Sequence, residues 1–389
     1  MDPSGNALFH RHAGSTALHV AHQRRVTMPP LSLLIKPVSG ACNMRCEYCF
    51  YQDVMARREK QVLPKMSPET LENLVRRAFV YAEGSVSFAF QGGEPTLIGL
   101  DYFERLIRLQ KKYNTRKIAV HNSVQTNGLE LPDDLIAFFA REHFLVGVSL
   151  DGDEINHDLF RRDIAGQPTY SRVLANIRRM QEMNVDFNIL CVVTEQLSRR
   201  GRECMDALGD FPFLQFIPCL DALSGEKSAH SLTEEGYLRF LMDTFDAYYE
   251  GFDKGGLVSV RNFDNYISML LGAPPESCAM AGRCGLYYLI ESDGSVYPCD
   301  FYVLDEWRMG NVNEHGFIRL EKSEVGRRFR ERSVPVPDAC RSCRWYFLCR
   351  NGCCREREEN GVNKWCRCYQ RFFDYSYERM QRIAARVRG

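Results

Sequence analysis

Ten of the sixteen cysteines in this chain lie at or beyond Cys278, and three of the other six share one short stretch, Cys42, Cys46 and Cys49. A region so rich in thiols and so poor in continuous periodicity cannot close an ordinary apolar core. Something held by the thiols must stabilise it. Disulfides belong to oxidising compartments, yet the N-terminus shows no apolar run of the secretory kind. The longest uninterrupted apolar stretches, such as 189–193, are strand-sized and too short for a bilayer. A soluble, cytoplasmic protein with metal-binding or catalytic thiols is therefore expected. Fifty basic against fifty acidic residues leave no formal charge, which argues against bulk attraction to nucleic acid or an anionic membrane. The length of 389 residues, 45% of them apolar, implies one large domain with an appendage, or two domains.

The organisation follows from the patterning. Residues 1–29 are polar and aperiodic, a flexible N-terminal arm. Residues 30–250 alternate apolar runs at 31–35, 86–90, 118–124, 144–150, 187–193 and 213–217 with amphipathic stretches at 102–113, 132–140, 170–183 and 234–249. A further helix opens at Ser67-Pro68, an N-cap followed by proline at the first helical position. Six β–α repeats with buried-type strands predict a parallel sheet with right-handed crossovers: α/β, a partial (β/α)6 barrel, with an open doubly wound sheet as the alternative. Residues 251–389 form the cysteine-rich part, with helical character at 262–271 and a closing amphipathic helix at 372–387.

The strand ends carry the polar and glycine residues of a barrel-type active site. They are the cysteine loop, Gln91-Gly92-Gly93-Glu94-Pro95, Gln125-Thr126-Asn127-Gly128, Ser149-Leu150-Asp151-Gly152, Thr194 and Ile217-Pro218-Cys219. Cys42-x3-Cys46-x2-Cys49 offers three thiolates and no fourth Cys or His nearby, the nearest being His22. Structural zinc wants four ligands. A 4Fe–4S cube on three cysteines leaves one iron for a small molecule, while a zinc knuckle with a remote ligand is the plainer alternative. Cys340-x2-Cys343-x5-Cys349-x3-Cys353 could likewise be a zinc ribbon, since spacing does not separate metals that favour soft ligands.

Cys42-x3-Cys46-x-Tyr48-Cys49 resembles the radical S-adenosylmethionine (SAM) motif, and Gly92-Gly93-Glu94 resembles that superfamily's glycine-glycine-glutamate loop. The resemblance implies SAM on the open iron, with Tyr48, Gly92, Gly93, Glu94, Ser149 and Arg161 around it; by itself, Arg161 reads equally as a surface ion pair. Cys284-x9-Gly294-x4-Cys299, the 340–353 run and Cys366 resemble the SPASM signature, with Cys278 as an eighth thiol. This implies two auxiliary 4Fe–4S clusters, three in all. The family pattern assigns Cys278, Cys284, Cys299 and Cys353 to one and Cys340, Cys343, Cys349 and Cys366 to the other. Cys354 beside Cys353, and Cys368 beside Cys366, leave each choice open. Cys191, Cys204 and Cys219 read as buried small hydrophobes.

Leu34-Ile35-Lys36-Pro37, Cys49-Phe50-Tyr51, the Gln91–Thr96 loop and Gly294-Ser295-Val296-Tyr297-Pro298-Cys299-Asp300 are similar to anaerobic sulfatase-maturating enzymes. That resemblance implies oxidation of a serine or cysteine of a sulfatase to Cα-formylglycine by way of a 5′-deoxyadenosyl radical. Asp300 would be the base, and Tyr51 and Gln91 would line the peptide pocket. It also implies an electron donor such as flavodoxin or ferredoxin and a monomeric enzyme. Asp300 as a turn aspartate and Tyr51 as a core aromatic are the plainer alternatives. Modification of another peptide, by crosslinking or thioether formation, is the competing activity, and a non-catalytic metal-stapled module the competing class.

Overall fold

Residues 29–256 and 258–388 are described by a computed structural model. All but the last residue of the expected N-terminal arm lie outside them. Six parallel strands pair in chain order: β1 (Leu31–Ile35), β2 (Ser85–Phe90), β3 (Ala119–Thr126), β4 (Leu145–Ser149), β5 (Phe187–Val193) and β6 (Phe213–Pro218). A doubly wound sheet reverses its strand order at a switch point. The unbroken order here is that of a barrel wall, so the partial barrel stands and the open alternative falls. With every crossover right-handed, monotonic order puts the connecting helices on one face. Leu33, Phe88, Val146 and Ile189 fill that face and are fully buried. The opposite face carries Ala89, Ser123, Gln125, Ser149 and Leu190, half-buried and mostly small or polar, facing the barrel interior.

The helix Pro68–Tyr81 begins as its sequence demands, with the Ser67 side chain accepting from the Thr70 amide. The sheet is wider than six strands. β7 (Ser259–Val260) extends the β6 edge, while β8 (Leu289–Ile290), β9 (Ser295–Tyr297) and β10 (Gly310–Asn311) extend the β1 edge. β8 runs parallel to β1 with Leu34 opposite Leu289, so the cysteine-rich part grows directly from the first barrel strand and covers an edge that would otherwise stand open. Strands of two or three residues are too short to show a period, which is why the patterning missed them. The closing helix, Cys366–Arg388, starts earlier than expected, at a cysteine. It packs on the helix Glu234–Asp253, with Phe372 edge-on to Phe245 at 5.7 Å. Among the described residues no helix is long and apolar enough to cross a membrane.

Candidate active site

Past β1 the chain turns into the cysteine loop, which ends with Cys49 as N-cap of the helix Phe50–Ala56. Backbone bonds fix the loop to its neighbours: Arg45 N to Arg162 O at 2.8 Å, Glu47 N to Phe160 O at 3.1 Å, and Glu94 N to Ala41 O at 2.8 Å. The Cys42 sulfur accepts from Met44 N at 3.4 Å and from Asn127 Nδ2 at 3.6 Å. Burial pushes the Cys42 and Cys46 thiols up, Cys46 to about 11, and each of the two is raised further by Cys49. A bound cation is what would deprotonate thiols raised in this way. Three thiols on one short loop, with no fourth Cys or His near them in the sequence, fit an iron–sulfur cube, which takes one thiol at each of three irons and leaves the fourth for a small molecule.

Two glycines bring the β2 loop against this one. Gly93 has φ +58°, and a Cβ there would stand 2.3 Å from the Ala41 carbonyl oxygen; Gly92 has φ +102°, and its Cβ would meet Lys36 Cε at 2.6 Å. Glu94 is buried. Its Oε1 accepts from Thr96 N (3.1 Å), Thr96 Oγ1 (2.7 Å) and Thr126 Oγ1 (2.9 Å), and its Oε2 from Asn127 N (2.7 Å). Burial still raises its carboxyl. Oε2 keeps one acceptor position, while Oε1 is saturated. Glu94 thus holds the loop together at least as much as it offers a carboxylate.

Arg161 is 5% exposed, not a surface residue. Its Nη1 donates to the Tyr48 hydroxyl at 2.8 Å, Tyr48 donates to Asp151 Oδ2, and the guanidinium lies 4.0 Å from that carboxylate. Asp151 Oδ1 accepts from Val192 N at 2.9 Å. Arg161 Nε is buried without a partner, a donor available to an anionic group beside the thiols. Ser149, on the barrel interior, accepts from Gln125 Nε2 at 3.1 Å. Asp151 and Asn127 belong to this site, although sequence reasoning gave them no role. Their places at the ends of β4 and β3 were the available signal.

Asp300 comes from the cysteine-rich part and meets the barrel here. Its Oδ2 accepts from the Tyr51 hydroxyl at 3.3 Å and Gln91 Nε2 at 3.3 Å, Gln91 Nε2 also donates to Tyr51 at 3.0 Å, and Cys299 Sγ lies 3.6 Å from Oδ1. Burial raises the Asp300 carboxyl. The residue is a junction between two chain regions, and Tyr51 is part of that junction, not only of a core.

Farther out, Cys340, Cys343, Cys349 and Cys366 line one small cavity of about 20 Å³, walled by Trp345, Tyr346 and Tyr369. Cys368 is absent from that lining and fully buried in the apolar core. Cys278, Cys299 and Cys353 form another group, where burial raises Cys299 and the thiols of Cys353 and Cys278 add to it. Cys284 faces both Cys353 and Cys354. The neighbouring Cys284 pulls the Cys354 thiol below its ordinary range, with help from Arg357 and Arg332.

A barrel with three thiols at its mouth, a glycine-lined loop beside them and further cysteine groups on an attached extension defines a radical SAM enzyme with auxiliary iron–sulfur sites. The Radical SAM superfamily model matches residues 37–201, and the SPASM iron–sulfur cluster-binding domain matches residues 278–344. The cysteine-type anaerobic sulfatase-maturating enzyme of Clostridium perfringens (strain 13 / Type A) is 42% identical over 370 residues, covering 93% of this chain and all of the relative. The serine-type enzyme of Klebsiella aerogenes is 29% identical over 350 residues, covering 88% of this chain and 84% of its own. A solved structure, native anSMEcpe with bound AdoMet and Cp18Cys peptide, superposes with a TM-score of 0.88 at 42% identity, covering 92% of this chain and all of that one. The chain belongs to the anaerobic sulfatase-maturating enzymes. It is a radical SAM oxidoreductase that uses SAM and iron–sulfur clusters.

Proposed function

We propose that this enzyme oxidises a cysteine in a sulfatase segment to Cα-formylglycine. Identity of 42% to a cysteine-type relative, against 29% to a serine-type one, supports cysteine as the target. The observation that carries the reading is the Asp300 junction, a half-buried carboxylate touching Tyr51, Gln91 and Cys299 beside the cysteine loop. Bound in their sites, SAM and the clusters supply a carbon radical that removes a hydrogen atom and a path for the electron left behind.

The chain's own residues do the rest. Cys42, Cys46 and Cys49 hold the SAM cluster. Ser149 and the free Nε of Arg161 would hold the SAM carboxylate, a charge-assisted pairing suited to a guanidinium. Glu94 Oε2 and the Gly92-Gly93 backbone would take its amino group, and Tyr48 would wall the site. Asp300 takes the thiol proton of the target, with Tyr51 and Gln91 orienting its Oδ2 and lining the peptide pocket. A monomer working with a small electron-donor protein completes the reading.

Cys278, Cys284, Cys299 and Cys353 would hold one auxiliary cluster, and Cys340, Cys343, Cys349 and Cys366 the other. The cavity lining supports Cys366 over Cys368. Cys366→Ala is accordingly expected to lose about four of about twelve irons, while Cys368→Ala keeps them all. Iron and sulfide analysis of anaerobically reconstituted protein checks this, and the reverse pattern would exchange the two assignments.

The deciding experiment incubates reduced, reconstituted enzyme with SAM and peptides of the form Cys-x-Pro-x-Arg or Ser-x-Pro-x-Arg. Oxidation of the cysteine peptide leaves a thioaldehyde that water hydrolyses, so aldehyde and free sulfide should form together, with about tenfold or greater preference over serine, within the range a binding pocket supplies. SAM cleavage with no aldehyde from either peptide would sink the reading. A crosslinked or thioether product would favour modification of another peptide class.

A further inference from the structure

Lys36 is 0% exposed, and no step above uses it. It follows β1, and its amide donates to Ile290 O at 2.9 Å, which continues the β1–β8 register and sets Lys36 beside Glu291. The ammonium lies 3.0 Å from Glu291 Oε1 but is not aligned for a hydrogen bond there. Arg58 Nη1 bonds that same oxygen at 2.6 Å. Burial opposes ionisation of Glu291, yet the two cations hold its carboxyl below the usual range. Two buried cations thus share one anion, and Arg58 alone would satisfy it. What Lys36 has that Arg58 lacks is the ring of Tyr51, 4.7 Å from Nζ to the centroid, whereas Arg58 lies over Tyr297 at 5.9 Å. The Lys36 stem reaches this place along the α-carbon of Gly92, where a Cβ would stand 2.6 Å from Cε. A desolvated ammonium over a phenol face is attractive and directional.

We propose that Lys36 is a positioning residue, clamping the Tyr51 ring from behind so that its hydroxyl meets Asp300. The inference rests on the formylglycine reading. Lys36 acts on Asp300 through Tyr51, and its charge also lowers the Asp300 carboxyl directly, so the cycle with Tyr51→Phe below separates the two. Without the clamp the ring rotates among its rotamers, the carboxylate loses one of its two donors, and radical formation is no longer matched by proton removal.

The test counts 5′-deoxyadenosine released per aldehyde formed, in reconstituted holoenzyme with the cysteine peptide. Lys36→Met, which keeps the stem, is expected to raise this count at least tenfold, and Lys36→Gln, which can still donate to Glu291, to raise it in the same direction. Arg58→Gln, which disturbs Glu291 but not Tyr51, should leave it unchanged. In the cycle with Tyr51→Phe, the double variant should match the worse single variant, because the clamp has no hydroxyl left to aim. An unchanged count in a folded Lys36 variant, additive effects in the double variant, or an equal rise in Arg58→Gln would each overturn the proposal. So would failure of both Lys36 variants to accumulate as folded holoprotein, since the residue's role would then be structural. If the unaltered enzyme makes no aldehyde, it is the functional reading that fails, not this one.

Discussion

Asp300→Asn should leave SAM cleavage running while aldehyde per cleavage falls by about 10²–10⁴-fold, the range that a positioned general base contributes. The substitution is nearly isosteric, and the asparagine carbonyl can still accept from the Tyr51 hydroxyl and Gln91 Nε2, as Oδ2 does at 3.3 Å to each. Pocket shape and peptide seating are therefore retained, and only proton acceptance is lost. No neighbour replaces it. Tyr51 cannot serve as an anionic base near neutral pH, because burial alone drives its phenol well above its ordinary range. Gln91 has no basic group. The measurement is 5′-deoxyadenosine and aldehyde from the same reaction. An unchanged ratio would remove Asp300 from the base role and leave it as a wall of the pocket.

Gly93→Ala should damage the enzyme earlier, at SAM binding. Alanine pays roughly 1–2 kcal/mol for the left-handed backbone at φ +58°. Its Cβ would also fall 2.3 Å from the Ala41 carbonyl oxygen. That oxygen cannot step aside freely, since it accepts the Glu94 amide at 2.8 Å while Ala41 N donates to Val38 O at 3.0 Å. The β2 loop and the cysteine loop must part, carrying Glu94 away from Thr126 and Asn127. A total loss of about 3 kcal/mol in stability is expected, within the range for strain at a special backbone position. SAM affinity should fall by about 10²-fold, as a misplacement of about 1 Å does elsewhere. Gly225→Ala is the control. It has φ +79° on an exposed stretch with nothing within 4 Å of the added carbon, so it carries a positive-φ cost without the clash. Equilibrium SAM binding and thermal unfolding read both. Unaltered SAM affinity in Gly93→Ala would mean that the close approach of the two loops is not what shapes the site.

Much of this molecule was legible before any coordinates. Strand 187–193 and the Ser67 cap were read to the residue, because an apolar run between breakers and an N-cap before proline are local signals. The boundary errors follow the same logic. The last helix was expected at 372–387 and begins at Cys366, because Cys366, Arg367 and Cys368 add no apolar face even though their backbone is helical. The short strands β7 to β10 were invisible because they are defined by partners far along the chain. Arg161 was ambiguous for a related reason: an arginine before a turn looks the same whether it points to water or, as here, to a half-buried tyrosine 113 residues away.

Residue order alone determined the chemistry available to this protein: three thiols on one loop with no fourth, a glycine pair followed by a glutamate, and cysteines at cluster spacing. These are properties of short segments, and short segments carry their own spacing. Tertiary structure decided which groups meet. It set Asp300 against Tyr51 across 249 residues, filled the acceptors of Glu94, separated Cys366 from Cys368, and slid a buried lysine under an aromatic ring. Such encounters depend on sheet register and loop closure, and both come from packing the whole chain.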